Sequence, residues 1–420
     1  MKQHIGRTLL GTGAVIATAG LVLTGCGSGY GGGGASASPS AGALTSSSDP
    51  LTIMIGSSGD AETTAVKDAV AAWSKKSGVS ASVVAATNLQ QQLSQGFAAG
   101  SPPDLFYLGS DQLAGYASNG SLKAYGDLLG NKGDFYPSLV KNFTYNDTFY
   151  CAPKDFSTLQ LIINTDLWTK AGLTEADYPT SWDQLAADAT KLTSGSTKGL
   201  VFNGEYARIG VFMAQAGGDL LSADGKKAEA NSDANVEALT YVQKHLNDGS
   251  FAYAKDVGAG WGGEALGKSL GAMTIEGNWI TGGMSADYPD PKYTVTARPK
   301  GPAGAGTLQF TNCWGMATDS PNQKASLDLV EYLTSAEQQL AFSKAFGPMP
   351  SVQSAAGQWK SENADLVPFL DGSDYAQGVP TLAGSADVIT AFNSQLETLK
   401  TTDPKTILDS VQKNLEALVK

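Results

Sequence analysis

The sequence predicts an α/β protein with room for two lobes. Three observations carry that reading. Beyond its first fifty residues the 420-residue chain is still long enough for two hydrophobic cores. Short apolar runs alternate with stretches that repeat apolar residues at helical spacing. The resulting order, strand, helix, strand, helix, strand, calls for a mainly parallel sheet, because parallel neighbours need a crossover between them.

The chain opens with Lys2 and Arg7 ahead of an uncharged apolar run, Leu9 to Leu23. That run has the length of a signal-peptide core and is short for a membrane span. It stops at Leu23-Thr24-Gly25-Cys26, which resembles the bacterial lipobox. In that box the cysteine becomes the lipid-modified first residue of the mature protein, carrying acyl chains such as palmitate. The residue types suit the chemistry: a thiol forms a stable thioether to a diacylglycerol, and small Gly25 leaves room for a peptidase. The alternative is a short buried helix that ends in cysteine. Residues 1–25 are thus expected to be a signal peptide and Cys26 a lipidation site. No second long apolar run follows. Residues 26–49, rich in Gly, Ser and Ala, cannot bury enough surface to fold and read as a flexible tether. The expected location is the outer face of the cytoplasmic membrane, lipid-anchored.

Each element beyond the tether has a local cause. Leu51 to Gly56 is a buried strand. Ala61 to Lys76 is a helix with Val66, Val70 and Trp73 on one face and Gly78 past its end. Ser80 to Ala86 and Asp104 to Gly109 are strands around a helix at Gln90 to Ala99, and a short helix follows at Gln112 to Ala117. Farther on, Thr158 to Asn164 is a strand. A Ser181-Trp-Asp-Gln184 capping box opens a helix with Trp182, Leu185, Ala189 and Leu192 on one face. Gly199 to Asn203 is a strand. Val236, Leu239, Val242 and Leu246 form a helical stripe that closes at Gly249. Gly271 to Gly277 and Tyr293 to Pro299 are strand-like, Ala325 to Leu333 is helical, and a second box at Ser335 to Gln338 starts another helix. The last helix has Asp403 as N-cap, Pro404 at its first position, and Leu408, Val411, Leu415 and Leu418 on one face.

Composition excludes several functions. The chain is 42% apolar and 16% charged, with a formal charge of −12 that becomes two units more negative once Lys2 and Arg7 leave with the leader. Such a body is repelled by nucleic acid and by anionic lipid. Of two histidines, His4 lies in the leader and His245 is expected to face solvent near a helix end. No His/Cys cluster has metal-ligand spacing, and no nucleophile–histidine set can be assembled. Gly258, Gly260 and Gly263 match a nucleotide fingerprint without a strand leading into them. No enzyme, metal site or cofactor is expected.

Four stretches fit one family: "GSPPDLFYLGSDQLAGYASNGSLKAY" (Gly100 to Tyr125), "FYCAPKDFSTLQLIINTDLWTKAGL" (Phe149 to Leu173) with "PTSWDQL" after it, "GAMTIEGNWITGG" (Gly271 to Gly283) and "CWGMATDSPNQKASLDLVEYLTSAEQQ" (Cys313 to Gln339). In this order they resemble the extracellular solute-binding proteins of ABC importers, in the carbohydrate-binding branch that includes maltose-binding protein. The resemblance implies a two-lobed periplasmic-binding-protein-like fold with a hinge of crossover segments and a ligand cleft between lobes. The crossovers would lie near Tyr150 to Phe156 and Thr311 to Ala317. The N-lobe would be 50–151 and 316–360, and the C-lobe 152–312 and 361–420. The implied function is capture of a mono- or oligosaccharide by a monomer that delivers it to a membrane-embedded ABC permease, with membrane contact through the N-terminal lipid only. The alternatives are a non-sugar solute such as a polyol phosphate, a secreted carbohydrate-active enzyme such as a lyase, and a surface adhesin.

The resemblance also proposes a ligand set, each member with an alternative. Trp279 matches a position where an indole stacks on a sugar ring, whose C–H face suits the negative π-face; otherwise it is a core tryptophan. Asp111 follows a strand end and matches an acidic position that accepts from hydroxyls, or it caps the next helix. Gln112 stands where relatives often carry a basic residue. Asp155 and Lys154 could reach the ligand or pair with each other. Asn203, Tyr206 and Arg208, with Glu205, follow a strand; Arg208 could fork onto two hydroxyls or brace Glu205. Ser58 and Glu62 line a strand-to-helix turn, where ordinary capping is the alternative. Trp261 and Trp314 could be ligand aromatics or core. With Cys26 lipidated, the crossovers of this fold would bring Cys151 and Cys313 together as a disulfide across the hinge; two separate buried thiols are the alternative.

Overall fold

The structure is a computed structural model, described for residues 43–419. The expected signal peptide, the expected lipidation site at Cys26 and most of the expected tether lie outside the described residues. The tether's last stretch is not slack. Thr45 donates through Oγ1 to Ser320 O and through N to Gln323 Oε1, and its carbonyl accepts from Lys324 N. The chain is therefore tied down several residues before its first strand.

The first elements are β1 (Leu51–Ile55), α1 (Asp60–Ser77), β2 (Ala81–Ala85), α2 (Leu89–Ala98), β3 (Leu105–Gly109), α3 (Ser110–Ser118) and α4 (Pro137–Asn142). A small hairpin, β4 (Thr144–Tyr145) and β5 (Thr148–Phe149), leads to β6 (Pro153–Thr158). The second half-sheet then builds from β7 (Gln160–Asn164), α5 (Thr165–Lys170), α6 (Trp182–Leu192), β8 (Lys198–Phe202), α7 (Tyr206–Gln215), α8 (Asp233–Asp248), β9 (Phe251–Tyr253), α9 (Gly262–Gly267), β10 (Gly271–Glu276), α10 (Ile280–Asp287) and β11 (Tyr293–Thr296). The chain returns through β12 (Thr307–Met316) to α11 (Gln323–Leu333) and α12 (Ala336–Phe346). It ends with α13 (Ala356–Glu362), α14 (Val367–Asp371), β13 (Ala376–Gln377), α15 (Ser385–Leu396) and α16 (Pro404–Glu416).

Two sheets result. One runs β13-β12-β3-β1-β2 with β6 also on β12; the other runs β11-β7-β10-β8-β9. Both are mixed rather than mainly parallel. β1 is parallel to β2 and β3, but β12 enters antiparallel to β3 and β6; β8 is parallel to β9 and β10, but β7 is antiparallel to β10 and β11. The reason is the crossing chain: a strand arriving from the other lobe enters from the opposite end. The single strand expected over Thr158 to Asn164 is likewise two, β6 on the first sheet and β7 in the second, parted at Leu159.

Each sheet has its own core. Ile53, Val66, Phe106, Leu108 and Leu329 lie in the first; Ile163, Phe202, Phe212 and Leu239 lie in the second, which also takes Leu408, Val411 and Leu415 of α16. Leu418 packs only partly buried against that second core. Local signals act as expected at most helix ends. Ser181, Ser335 and Asp403 accept from Gln184 N, Gln338 N and Thr406 N. The Gln184 side chain, however, reaches Thr180 N and Oγ1 and not its own N-cap. His245 is buried, contrary to expectation. It is wedged between Tyr241 and Phe251, where Asp248 Oδ2 at 2.9 Å supplies the polar partner that makes burial tolerable.

The hinge is built on β12. Its first half pairs with β6 and its second half with β3, with an irregularity between Asn312 and Cys313. Cys151 and Cys313 form a disulfide there, with Cα atoms 5.7 Å apart and both residues fully buried. A third passage follows α12, where Phe156 N donates to Met349 O and Ser351 Oγ to Pro153 O.

Candidate functional site

A cleft of about 840 Å³ opens where the lobes meet. Its floor is the hinge: Asp155, Phe156 and Ser157 of β6 beside Phe310, Thr311 and Asn312 of β12. One wall brings Ser58 from the β1–α1 turn, Glu62 from the first turn of α1 and Phe346 from the end of α12. The other brings Asn278 and Trp279 from the turn between β10 and α10 and Thr281 from the start of α10. The walls touch at the bottom, where Asn278 N donates to Ser157 Oγ and Asn278 Nδ2 donates across to Gly347 O at 2.8 Å.

The first wall is centred on Lys154. Its ammonium pairs with Asp155 Oδ2, lies 3.2 Å from Glu62 Oε1, and sits 4.4 Å from the Tyr107 ring centroid. Ser58 donates through both N and Oγ to Glu62 Oε2 at 2.7 Å, and the Tyr107 hydroxyl also bonds Glu62. Burial by itself would push the Glu62 carboxyl up, but Lys154 and the Ser58 donors outweigh it and hold it below the usual range. Burial would likewise depress Lys154, and its two carboxylates reverse the sign. Asp155 stays raised, because burial exceeds what its share of Lys154 returns. Such a network binds α1 to the hinge strand.

The second wall is centred on Glu276, fully buried at the end of β10. Arg208 bridges it to Glu205, and Trp279 Nε1 donates to Glu276 Oε2 at 2.9 Å. Burial raises the Glu276 carboxyl, with Arg208 opposing. The indole is thereby held upright with 41% of its surface exposed, edge-on to Phe310 at 6.0 Å and 5.7 Å from the Arg208 guanidinium. Gly277 is needed for a closer reason than chain reversal: a Cβ there would collide with the Trp279 ring and come within 2.6 Å of Ser157 Oγ.

Five of the residues expected to reach the ligand, Trp279, Asp155, Lys154, Ser58 and Glu62, line the cleft together. Arg208 stands behind Trp279. Asp111 and Gln112 are outside the lining, at the start of α3; the Asp111 carboxylate folds over Gly109 beside Asn312, and burial raises it against backbone amides that lower it. Three assignments are corrected. Tyr206 is in the second core against Phe392, because the first turn of α7 faces α15. Trp314 is in the first core, edge-on to Tyr107 at 4.9 Å, because β12 has by then joined β3. Trp261 lies behind the cleft, on Gly263 and Gly283. Asn203 is likewise outside, bonded through Nδ2 to Gly260 O. Phe310, Asn312 and Phe346 were missed. Phe310 lies one residue before the expected crossover, Asn312 lies within it without a mark of its own, and Phe346 is marked only by the Gly347-Pro348 helix stop after it. Among the described residues no group of three His, Cys, Asp or Glu side chains could hold a metal ion, and no helix is long and apolar enough to cross a membrane.

Two α/β lobes over an open cleft, with the chain crossing repeatedly between them, define the two-lobed solute-binding architecture. The family described as bacterial extracellular solute-binding protein matches residues 68–367, and the chain belongs to that family. The diacetylchitobiose binding protein DasA of Streptomyces coelicolor is 25% identical over 309 residues, which cover 71% of this chain and 69% of that one. The cyclic α-maltosyl-1,6-maltose binding protein of Arthrobacter globiformis superposes with a TM-score of 0.77 at 22% identity, over 89% of this chain and all of that one. UgpB of Mycobacterium tuberculosis, solved with glycerophosphocholine, gives 0.75 at 18% identity, over 88% and 98%. Likeness at that identity establishes the fold and leaves the ligand to the cleft.

Proposed function

We propose that the protein captures a neutral carbohydrate outside the cytoplasmic membrane and hands it to an ABC permease. One observation carries the reading. Three aromatic side chains, Trp279, Phe310 and Phe346, share a cleft whose central cation is already held by two carboxylates. Aromatic faces with planar hydrogen-bonding groups suit sugar rings. An anionic solute needs a cation aimed at it; Lys154 is already paired, and the other lysine of the lining, Lys344, stands solvent-exposed near the end of α12. The residues in contact with the sugar are Trp279, Asp155, Glu62, Ser58 and Asn312, with Asp111 and Gln112 at the rim. The diacetylchitobiose-binding relative supports the same class. The two cores support lobes of 50–151 with 316–360 and 152–312 with 361–420 except at the first crossover, where Ala152 lies in the first core and β6 on the first sheet, which extends the first lobe to Thr158. The protein acts as a monomer that leaves its sugar intact, anchored through a lipidated Cys26 after loss of residues 1–25.

A thermal-shift screen against mono- and oligosaccharides, with glycerol phosphates in parallel, tests this. A sugar at a hundred times its dissociation constant adds about 2.7 kcal/mol to stability. Stabilisation by the phosphates alone overturns the reading, and fragmentation of the glycan on incubation reveals an enzyme. Mass spectrometry of protein from native membranes should find a modified N-terminal Cys26; an intact Met1 refutes the anchor.

A further inference from the structure

A second pocket of about 510 Å³ adjoins the cleft, and Thr281 lines both. It lies between β11, which contributes Tyr293, Thr294 and Val295, and the segment that ends α13 and enters α14, which contributes Glu362, Asn363 and Asp365. One continuous wall serves both spaces: Thr281 Oγ1 donates to Asn278 O at 2.9 Å, and Asn278 lines the cleft. The pocket has a half-buried aromatic ring on one side, two carboxylates and an amide on the other, and neither lysine nor arginine among its lining residues.

We infer that the ligand is an oligosaccharide whose chain passes Thr281 and places further sugar units in this second pocket, which takes neutral or amino-bearing units and rejects acidic ones. The inference rests on the carbohydrate reading of the main cleft and adds to it a direction, a minimum length and a charge rule. Tyr293 offers a ring to the sugar's C–H face. Glu362 and Asp365 offer acceptors to vicinal hydroxyls or to an ammonium. Their charge, uncompensated within the pocket, opposes a uronate or phosphate at that end of the chain. A monosaccharide would leave the pocket to water.

The test is calorimetric titration of the protein with maltose to maltopentaose and with chitooligosaccharides of the same lengths, repeated on Ala364→Trp. Ala364 is exposed on the pocket's edge, so the substitution fills the pocket without entering a core. Within the series that binds, affinity should rise by about tenfold or more between two and four units, and Ala364→Trp should remove that rise while leaving the two-unit affinity unchanged. A second variant, Glu362→Lys with Asp365→Lys, should improve binding of an oligomer ending in a uronic acid relative to its neutral counterpart. If short sugars bind and longer ones gain nothing, or gain equally in Ala364→Trp, the subsite is refuted and the main cleft stands. If no carbohydrate binds at all, both readings fall.

Discussion

On the first-lobe wall of the cleft a lysine sits between two carboxylates, Glu62 and Asp155, and the whole group is turned inward onto Tyr107. On the second-lobe wall an arginine also sits between two carboxylates, Glu205 and Glu276, but the group is turned outward and holds up an indole with 41% of its surface exposed. The parts are alike and their uses differ. The first wall uses its charges on itself, fastening α1 to the hinge strand. The second uses them to orient an aromatic ring that packs edge-on to Phe310 and leaves 41% of its surface for a ligand. A buried ion network contributes little net stability but is costly to break, whereas an exposed ring costs the fold little when it is lost. The difference separates a wall whose polar groups hold the fold as well as face the ligand from one whose ring is held out for the ligand alone.

The strongest way to break the comparison is Lys154→Met. It leaves Glu62 and Asp155 buried without a cation and should cost about 3–5 kcal/mol of stability; a denaturant midpoint close to that of the wild type would show that the first wall is not held by this lysine. Cys151→Ser with Cys313→Ser probes the strands that join the walls. Opening a loop closed across 162 residues of sequence should cost about 3–5 kcal/mol on the chain-entropy account. Titration of denatured, unreduced protein should find neither of these two thiols free. Trp279→Ala should do the reverse of Lys154→Met, weakening sugar affinity by more than about 1 kcal/mol, the scale of one aromatic contact, with unfolding unchanged. Unaltered affinity in a folded variant would move the binding surface to Phe310 and Phe346. The smallest effect sharpens the comparison from outside the cleft. Burial, then Asp177, pushes the Asp188 carboxyl up to about 6, and its Oδ2 has no partner. A folded-state value above the unfolded one means that stability is lost as pH rises from about 4 through about 6. Asp188→Asn should therefore stabilise the protein above pH 6 by about 1 kcal/mol, after discounting for partial exposure, and by nothing below pH 4. A gain that persists at pH 3.5 would assign the effect to something other than charge.

Much of the fold was legible because its causes are local. Val66, Val70 and Trp73 recur at helical spacing and are buried together. Asp403 and Pro404 start α16 where capping chemistry puts them. The cleft was legible only where a motif marked it. Trp279 stands in a recognisable Gly-Asn-Trp turn, and Glu62 and Asp155 lie beside turns and crossovers. Phe310 and Phe346 carry no such mark, since an aromatic residue on a strand or at a helix end reads equally as core.

What the sequence by itself determined was the order of most strands and helices and the acidic body without nucleophile–histidine or metal-ligand sets. Those follow from periodicity, capping and residue chemistry, which act over a few positions; the place of the two cysteines at the crossovers was implied by the family resemblance. Only the tertiary structure decided which side chains share the cleft. Trp314 and Trp279 look alike in sequence, yet one is sealed against Tyr107 and the other stands exposed. The orientation of each strand and the burial of His245 were settled the same way. Each depends on how chain segments far apart in sequence cross and pack, and a side chain's exposure is a property of the neighbours that packing brings.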